Sequence, residues 1–179
     1  MTSSIKNTIF EMMHDRGFHI IEVVDDTYII AENDHKKRTI VYFASYQRVS
    51  IKKMKHIKDI IEHDELGFYC LVIVCKGSVT SFAKQFITTD VNNIIVQIFT
   101  EKELAFNITK HFLVPKHELL NENEKRNVIN MYKTKLKHFP NILTTDPVSK
   151  YYAYVPGDLI KITRNSPTVG TYISYRIVV

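Results

Sequence analysis

The feature that most constrains this fold is an uninterrupted apolar run, Phe68 to Cys75, with β-branched residues at its centre. Such a run predicts a buried β-strand. The two cysteines of the chain, Cys70 and Cys75, both lie in it. Residues five apart on a strand point to opposite faces, so these thiols cannot easily pair. The sequence therefore predicts two buried free thiols, as is typical of a reducing compartment.

Helical and strand-like segments alternate on both sides of this run. A helix is predicted from a capping Ser4, with Gly17 placed to end it. Ser50 is predicted to begin a second helix. The polar stretch from Glu32 to Arg38 is predicted to be a loop. The other predicted strands are residues 18–24, 27–31, 39–44 and 93–99. This alternation predicts a mixed α/β layer with a mixed sheet for about the first hundred residues.

The pattern changes near His111. Asn121 followed by Glu124 predicts a capping box that opens a helix to about Tyr132. Asp146-Pro147 supplies an N-cap and a first-turn proline for a short helix through Tyr152. Alternating residues in 158–164 and 171–179 predict two paired strands. The chain as a whole is thus predicted to be α+β with two domains, a mixed α/β domain over residues 1–108 and a small α+β domain over residues 109–179.

The positive charge is unevenly distributed between these two domains. Residues 1–108 contain 13 Lys and Arg against 14 Asp and Glu, whereas residues 109–179 contain 11 against 5. The whole net charge of +5 therefore comes from the second domain. A basic domain can meet phosphates or an acidic protein surface, and charge alone does not decide between them.

Signals of an enzyme are few. The sequence has no phosphate-binding glycine-rich loop, no nucleophile elbow and no paired-cysteine zinc pattern. Asp34-His35-Lys36, downstream of Asp25 and Asp26, faintly resembles the acidic-x-Lys element of metal-dependent nucleases. Those enzymes hold a divalent cation on carboxylates near adjoining strand ends. A solvated loop is the simpler interpretation, and we expect no catalytic residue, metal site or cofactor.

Three features leave alternatives open. Lys52, Lys53, Lys55 and Lys58 could contact a nucleic-acid backbone or form an ordinary solvated helix face. Lys84 follows Thr80-Ser81 where a loop meets a predicted helix start, and could hold a phosphate. Half of the ten tyrosines could complete a small core or lie in an interface. These are Tyr151, Tyr152, Tyr154, Tyr172 and Tyr175.

An ordered series of motifs runs through the last third of the chain. Its parts are His111-Phe112-Leu113-Val114-Pro115-Lys116-His117, Phe139-Pro140-Asn141-Ile142, Asp146-Pro147-Val148-Ser149-Lys150-Tyr151, the segment from Pro156 to Arg164 and the segment from Ser166 to Arg176. This series resembles the fifth subunit shared by eukaryotic nuclear RNA polymerases, whose C-terminal domain resembles a small subunit of the archaeal RNA polymerase. Residues 14–18, 71–74, 83–85 and 107–109 match the amino-terminal part more loosely.

The resemblance implies a structural role in transcription. The C-terminal domain would dock on the largest polymerase subunit, and the N-terminal domain would be a jaw near downstream double-stranded DNA, with weak, non-specific contact. The catalytic magnesium of such a polymerase belongs to other subunits. The partner-binding residues implied are Pro115, His117, Asp146, Pro147, Tyr151, Gly157, Lys161, Arg164, Gly170, Tyr172, Tyr175 and Arg176. The DNA-proximal residues implied are Thr80, Ser81 and Lys84.

The expected location follows from this role. No apolar run approaches the roughly 20 residues that a membrane helix needs, and no secretory signal is visible. We expect a nuclear protein, or one of a cytoplasmic viral factory or virion if the source is a large DNA virus. The alternatives are a metal-dependent nuclease and a stand-alone basic adaptor that binds nucleic acid.

Overall fold

The chain divides into two compact units, Met1–Phe106 and Asn107–Val179. The structure, a computed structural model, describes residues 3–24, 27–44, 48–49, 54–55, 67–81, 85, 94–166 and 170–179. In that part of the chain no helix is long and apolar enough to cross a bilayer.

In its described residues, the N-terminal unit has a helix at its start that packs against a mixed five-stranded sheet. The sheet has the order β1-β2-β3-β5-β7, antiparallel from β1 to β3 and parallel from β3 to β7. The predicted mixed sheet is therefore confirmed. Its elements are α1 (Ser3–Asp15), β1 (Phe18–Val24), β2 (Tyr28–Asn33), β3 (Arg38–Ala44), β5 (Cys70–Cys75) and β7 (Ile95–Thr100). The short strands β4 (Arg48–Val49) and β6 (Ser78–Val79) pair separately in parallel.

The apolar run identified in the sequence lies inside this sheet. β5 pairs with β3 on one side and β7 on the other, and all six of its residues are buried. Leu71, Ile73 and Cys75 belong to a core cluster on one face. Cys70 faces the other way, and burial raises the pKa of its thiol to about 11. Both cysteines are free and buried, as predicted.

The start of the first helix differs from the prediction. The first helix begins at Ser3, and the Ser4 hydroxyl donates to the Ala105 carbonyl at 2.7 Å instead of capping the helix. A small hydroxyl near a helix start has several acceptors within reach, and the tertiary fold selects one of them. Gly17 does end the helix, with a φ of +76° that glycine adopts without strain.

The helix predicted from Ser50 falls largely outside the described residues. Met54 and Lys55 are helical, with Met54 buried in the core cluster and Lys55 exposed. Lys52, Lys53 and Lys58 are not among the described residues, and neither is the segment from Phe82 to Lys84.

The C-terminal unit is built on a four-stranded sheet of order β8-β10-β11-β9. β10 pairs antiparallel with β8 and β11, and β9 adds to β11 in parallel. The elements are β8 (Lys116–Leu119), α2 (Glu122–Tyr132), β9 (Asn141–Ile142), α3 (Pro147–Tyr152), β10 (Leu159–Ser166) and β11 (Gly170–Val178). Two 3-10 turns lie at Ile108–Lys110 and Leu136–His138.

Each face of this sheet has its own small core. On the side we call the α2 face, Leu159 and Ile177 pack with Val128 of α2 and with Phe139. On the opposite α3 face, Ile160, Ile162 and Val178 pack with Ile142 and Tyr154, and with Tyr152 at the end of α3. The first half of β10 thus contributes side chains to both cores.

Both predicted helix starts are confirmed. The Asn121 Oδ1 accepts from the Glu124 backbone N–H, and the Glu124 Oε2 accepts from the Asn121 N–H, each at 2.9 Å. Asp146 caps α3, with Pro147 in the first turn. The predicted paired strands are also confirmed. β8 and β9 were not predicted, because β9 has two residues and Lys116–Leu119 mixes charged with apolar side chains.

We predict that Asn121→Ala destabilises the C-terminal unit by about 1 kcal/mol, because the first turn of α2 loses its capping acceptor. Native-state hydrogen exchange of the full chain, read at the amides of α2, measures this. Asn123→Ala is the matched control, since Asn123 lies in the same turn and contributes its backbone N–H, not its side chain, to the cap. An equal loss in both variants would contradict the role of the capping box.

Candidate docking surface

The register of the C-terminal sheet sorts the predicted partner-binding residues by face. Lys161 is opposite both Glu118 and Tyr175, and these three residues lie on the α2 face. His117, Arg164, Tyr172 and Arg176 occupy the alternate positions and lie on the α3 face. The predicted set is therefore divided between two faces, which its positions in sequence do not reveal.

A charged cluster on the α3 face surrounds His117. Its half-buried ring donates from Nδ1 to the Pro115 carbonyl at 2.8 Å. Burial lowers the pKa of His117, and Arg164 and Arg176 lower it further, while the Pro115 carbonyl and Asp146 act in the opposite direction. The fold therefore brings five of the predicted residues together here. Since burial and two guanidinium groups disfavour the imidazolium, the neutral ring is the favoured form.

The Arg176 guanidinium is held in this region by a backbone contact. Its Nη1 donates to the Asn141 carbonyl at 2.8 Å. The Asp146 carboxylate accepts from the backbone N–H of Val148 at 2.9 Å and so is committed to capping α3. Arg164 lies two residues before the end of β10 and is exposed. Arg164 is therefore the member of this cluster most accessible to an acidic group of a partner.

On the α2 face the predicted Tyr175 belongs to an aromatic cluster. Its ring packs edge-on against Tyr132 at 5.8 Å and Phe139 at 6.5 Å between centroids. Burial, and then Tyr132, raise the pKa of Tyr175. Next to it, the Lys161 ammonium lies 3.9 Å from Glu118, which also pairs with Lys116 at 2.6 Å. The hydrogen bond from Lys116 is the main cause that lowers the pKa of Glu118.

Tyr151 lies in the interior of the unit. It is 3% exposed, and its hydroxyl accepts from the Asn107 Nδ2 at 2.9 Å. Asn107 also caps the first 3-10 turn through its side-chain oxygen, which accepts from the Thr109 N–H. The Tyr151 ring offers almost no area to a partner, so its place is in holding α3 against the start of this unit.

Three other predicted residues shape the backbone. Pro147 occupies the first turn of α3. Gly157 has a φ of +95° in the turn before β10, and its N–H donates to the Val178 carbonyl. Gly170 has a φ of +76° where β11 begins. A side chain at either glycine would be strained, because L residues rarely adopt this region.

Two surface grooves border the predicted residues. The Phe112 groove has a volume of about 590 Å³ and is lined by Phe112, Leu113, Val114, Pro115, Lys116, Thr163, Arg164 and Asn165. The Tyr175 groove has a volume of about 410 Å³ and is lined by Tyr132, Thr134, His138, Phe139, Pro140, Tyr172, Ile173, Ser174 and Tyr175. The predicted Pro115, Arg164, Tyr172 and Tyr175 line one or the other.

The sequence prediction missed the two most exposed large apolar side chains among the described residues of this unit. Phe112 is 87% and Leu113 72% exposed, and the His111 ring stacks on Phe112 with centroids 4.9 Å apart. Both residues belong to the motif from His111 to His117. An apolar pair at this point of the sequence predicts burial by default, so exposure became evident from the structure alone.

In the N-terminal unit, the predicted DNA-proximal residues follow β6. Thr80 is half-buried and Ser81 is exposed, while Lys84 lies outside the described residues. Asp34, His35 and Lys36 form the turn between β2 and β3. There the Asn33 Oδ1 accepts from the backbone N–H of His35 at 3.0 Å and of Lys37 at 2.9 Å.

The acidic-x-Lys element is thus part of an exposed turn, with the Asp34 side chain 88% exposed. Asp25 and Asp26 lie outside the described residues. Among the residues that the structure does describe, no three His, Cys, Asp or Glu side chains are grouped so that they could hold a metal ion.

Comparison with known proteins identifies the family. The family model "RNA polymerase Rpb5, C-terminal domain" matches residues 106–178. A relative from Dictyostelium discoideum, subunit rpabc1 of DNA-directed RNA polymerases I, II and III, is 33% identical over 98% of this chain and 95% of its own. The chain belongs to the Rpb5 family. The RPABC1 subunit of Caenorhabditis elegans is 30% identical over 98% of this chain and 94% of its own.

Membership of the Rpb5 family confirms the resemblance found in the sequence. The chain is a non-catalytic subunit of a multi-subunit DNA-directed RNA polymerase. The match covers both units, because each of these relatives aligns over nearly its whole length.

Solved structures give weaker similarity. A repair endonuclease from Pyrococcus abyssi has a TM-score of 0.39 at 13% identity, over 55% of this chain and 45% of its own. EndoMS in its apo form has a TM-score of 0.36 at 12% identity, over 56% and 47% of the two chains. Scores this low carry no argument about the function of an Rpb5 family member.

We predict that Tyr151→Phe lowers the free energy of unfolding of the C-terminal unit by about 1–3 kcal/mol, because a buried hydrogen bond to Asn107 is lost. Hydrogen exchange at the amides of α3 in the full chain measures this change. Tyr172→Phe is the matched control, because it removes the hydroxyl of a ring that is 54% exposed. Stability that is the same in Tyr151→Phe and Tyr172→Phe would refute the interior role of Tyr151.

Proposed function

We propose that this chain docks on the largest polymerase subunit through its C-terminal unit, and that its N-terminal unit forms part of a jaw near downstream DNA. The observation that carries the docking proposal is the exposure of Phe112 and Leu113 beside predicted partner residues. Large exposed apolar side chains rimmed by polar groups are typical of protein interfaces.

Burial of these two side chains supplies a driving force for docking. Removing a Leu or Phe side chain from water is worth about 1.5–3 kcal/mol. Val114 and Pro115 add apolar lining to the Phe112 groove, and Lys116 and Arg164 add positive charge to it. The partner that fits has an apolar pocket for Phe112 with carboxylates around it.

The charge balance supports an acidic partner surface. The excess of basic residues belongs to residues 109–179, and Arg164, Arg176 and Lys161 are spread over both faces of the sheet. Charge complementarity speeds association and selects the partner more than it adds affinity. Tyr172 and Tyr175 would supply interface area, while Tyr151, Asp146, Pro147, Gly157 and Gly170 would hold the shape of the surface.

The proposal for DNA rests on the family, and the nearly neutral charge of the N-terminal part limits how strong the contact can be. A balance of 13 basic against 14 acidic residues over positions 1–108 cannot neutralise many phosphates. Contact through Thr80, Ser81 and Lys84 would therefore be weak, salt-sensitive and independent of sequence. The polymerase as a whole, not this chain, would hold the DNA.

We also propose a nuclear location. The relatives are named as subunits of polymerases I, II and III of eukaryotes. A subunit of such an enzyme would act where that enzyme transcribes.

We predict that Phe112→Ala with Leu113→Ala reduces recovery of the two large polymerase subunits with the tagged chain from its native source. Loss of an aromatic hot spot costs about 2 kcal/mol or more, which is roughly a thirtyfold change in Kd. The readout is the amount of each large subunit that co-purifies with equal amounts of tagged chain.

Leu143→Ala is the matched control, because Leu143 is an exposed apolar residue of the same unit that lines neither groove. Its recovery of polymerase should equal that of the unmodified chain. Failure of the unmodified chain to recover any polymerase subunit would sink the proposed function. Equal recovery by the double variant would remove Phe112 and Leu113 from the interface.

We predict that a photo-crosslinking residue at Ser81 reaches downstream duplex DNA in a transcribing polymerase that contains the full chain. The same residue placed at Lys102, which is also exposed in the N-terminal unit, is the control. The yield at Ser81 should exceed the control and fall as the salt concentration rises. Yields that do not differ between the two positions would contradict the DNA-proximal assignment.

A further inference from the structure

One edge of the C-terminal sheet is open along most of β11. β9 pairs with β11 at Ile177 and Val178 alone, whereas β10 covers the other side of β11 along its whole length. Among the described strands, none lies beside Gly170 to Tyr175 on the side away from β10. An open edge presents backbone donors and acceptors to any extended chain that can reach them.

The direction of the free backbone groups follows from bonds at the end of β11. The Val178 N–H donates to the Asp158 carbonyl, on the β10 side. The Ile177 N–H donates to the Pro140 carbonyl and the Val179 N–H to the Ile142 carbonyl, on the β9 side. Because these directions alternate along a strand, the N–H and C=O groups of Tyr175, Ile173 and Thr171 point away from β10.

Pro140 explains why β9 stops where it does. In the parallel register of Ile177 with Asn141, the next bond would run from the N–H of residue 140 to the Tyr175 carbonyl. Proline has no N–H, so this bond cannot form. Before Pro140 the chain turns through Leu136–His138, which leaves a gap in line with β9.

The Tyr175 groove occupies that gap. Its lining includes four consecutive residues of β11, from Tyr172 to Tyr175, and Pro140 at the start of β9. Its lining also includes Tyr132 and Phe139, whose rings form the aromatic cluster with Tyr175. An extended chain beside β11 would therefore find both backbone partners and aromatic rings in this groove.

The charge around the groove indicates the chemistry of the occupant. The segment from Lys133 to Leu143 contains Lys133, Lys135 and Lys137, all exposed, and no acidic residue. His138 and Thr134 from the same segment line the groove. Exposed lysines that are sequence neighbours of the groove-lining residues favour a peptide that carries carboxylates.

We propose that the open edge of β11 receives an extended acidic segment of another polymerase subunit, which adds to the sheet as a further strand. The segment would have five or six residues, since Gly170 to Tyr175 span about 20 Å. Carboxylates would face the lysines, and an apolar or aromatic side chain would enter the Tyr175 groove. In strand addition of this kind, main-chain hydrogen bonds provide the affinity, and every second side chain of the added strand provides the specificity. The inference rests on the proposed function and names the kind of segment that the docking surface takes.

Hydrogen exchange of the full chain, free and assembled in the purified polymerase, tests the strand addition. Mass spectrometry with residue-resolving fragmentation should show exchange at the Ile173 and Tyr175 amides slowed at least tenfold on assembly. The Tyr172 and Ser174 amides, which point towards β10, should exchange slowly in both states and serve as the internal control. Unchanged exchange at Ile173 and Tyr175 in a chain that is assembled would overturn the inference and leave the proposed function standing. A chain that never assembles would overturn the proposed function itself.

A pair of substitutions at one position separates the backbone from the side chain. Ile173→Pro removes an N–H that points to the groove, and Ile173→Ala removes the side chain and keeps the N–H. Recovery of polymerase should fall at least tenfold further in Ile173→Pro than in Ile173→Ala. Equal recovery by two folded variants would contradict strand addition. If Ile173→Pro does not fold, the exchange measurement on the unmodified chain decides.

The acidic character has its own test. Lys135→Glu with Lys137→Glu should lower the recovery of polymerase at least tenfold, whereas Lys76→Glu with Lys102→Glu, the same charge change at exposed residues of the N-terminal unit, should not. Equal recovery by both pairs would show that the occupant is not acidic.

Protection of the Ile173 and Tyr175 amides from exchange in the free chain at high concentration would identify a second copy as the occupant. Protection on adding duplex DNA alone would identify nucleic acid, and either result would refute a subunit segment.

Discussion

The antiparallel pairing of β10 with β11 is the constraint on which the C-terminal unit depends. Eight register pairs, from Leu159 with Ile177 to Ser166 with Gly170, fix the face on which every side chain of the hairpin lies. A slip of one residue would exchange the two faces and move Leu159, Ile160 and Ile162 out of their cores. The same register places Arg164 opposite Tyr172, and Lys161 opposite Tyr175. Burial and the candidate docking surface therefore have one common origin.

A small unit with two thin cores leaves apolar surface uncovered. The α2 face and the α3 face each bury a few side chains at one end of the sheet, while Phe112, Leu113, Ile173 and Tyr172 remain exposed. A domain of this size buries a modest fraction of its surface on its own. Assembly into a larger complex lets such a unit remove the remaining apolar area from water. Membership of the Rpb5 family, whose named relatives are polymerase subunits, agrees with this physical requirement.

The N-terminal unit shows that the chemical role of a residue type depends on where the fold places it. Asp34, His35 and Lys36 carry the spacing of a nuclease element, but the Asn33 side chain holds their backbone in a tight turn. In this turn the Asp34 side chain is 88% exposed, and its carboxylate lies 3.6 Å from the His19 ring of β1. Cys70 and Cys75 are chemically reactive residue types that the buried centre of the sheet makes inert, with the pKa of Cys70 raised to about 11.

The sequence by itself determined the elements whose signals are local. Each of these elements can be predicted from a few neighbouring residues. They are the apolar run from Phe68 to Cys75, the capping box of Asn121 with Glu124, the Asp146-Pro147 start of α3 and the alternation in the hairpin. The motif series from His111 to Arg176 determined the family. Tertiary structure decided what depends on contacts between distant residues. The buried Tyr151 hydroxyl needs its partner Asn107, which is 44 residues away in the sequence. Phe112 and Leu113 are exposed because no other described part of the unit covers them. The edge of β11 is open because Pro140 cannot donate a hydrogen bond to it. The periodicity of apolar residues gives the face of a helix or strand on which a residue lies. Which other residues pack against that face is decided only by the tertiary structure.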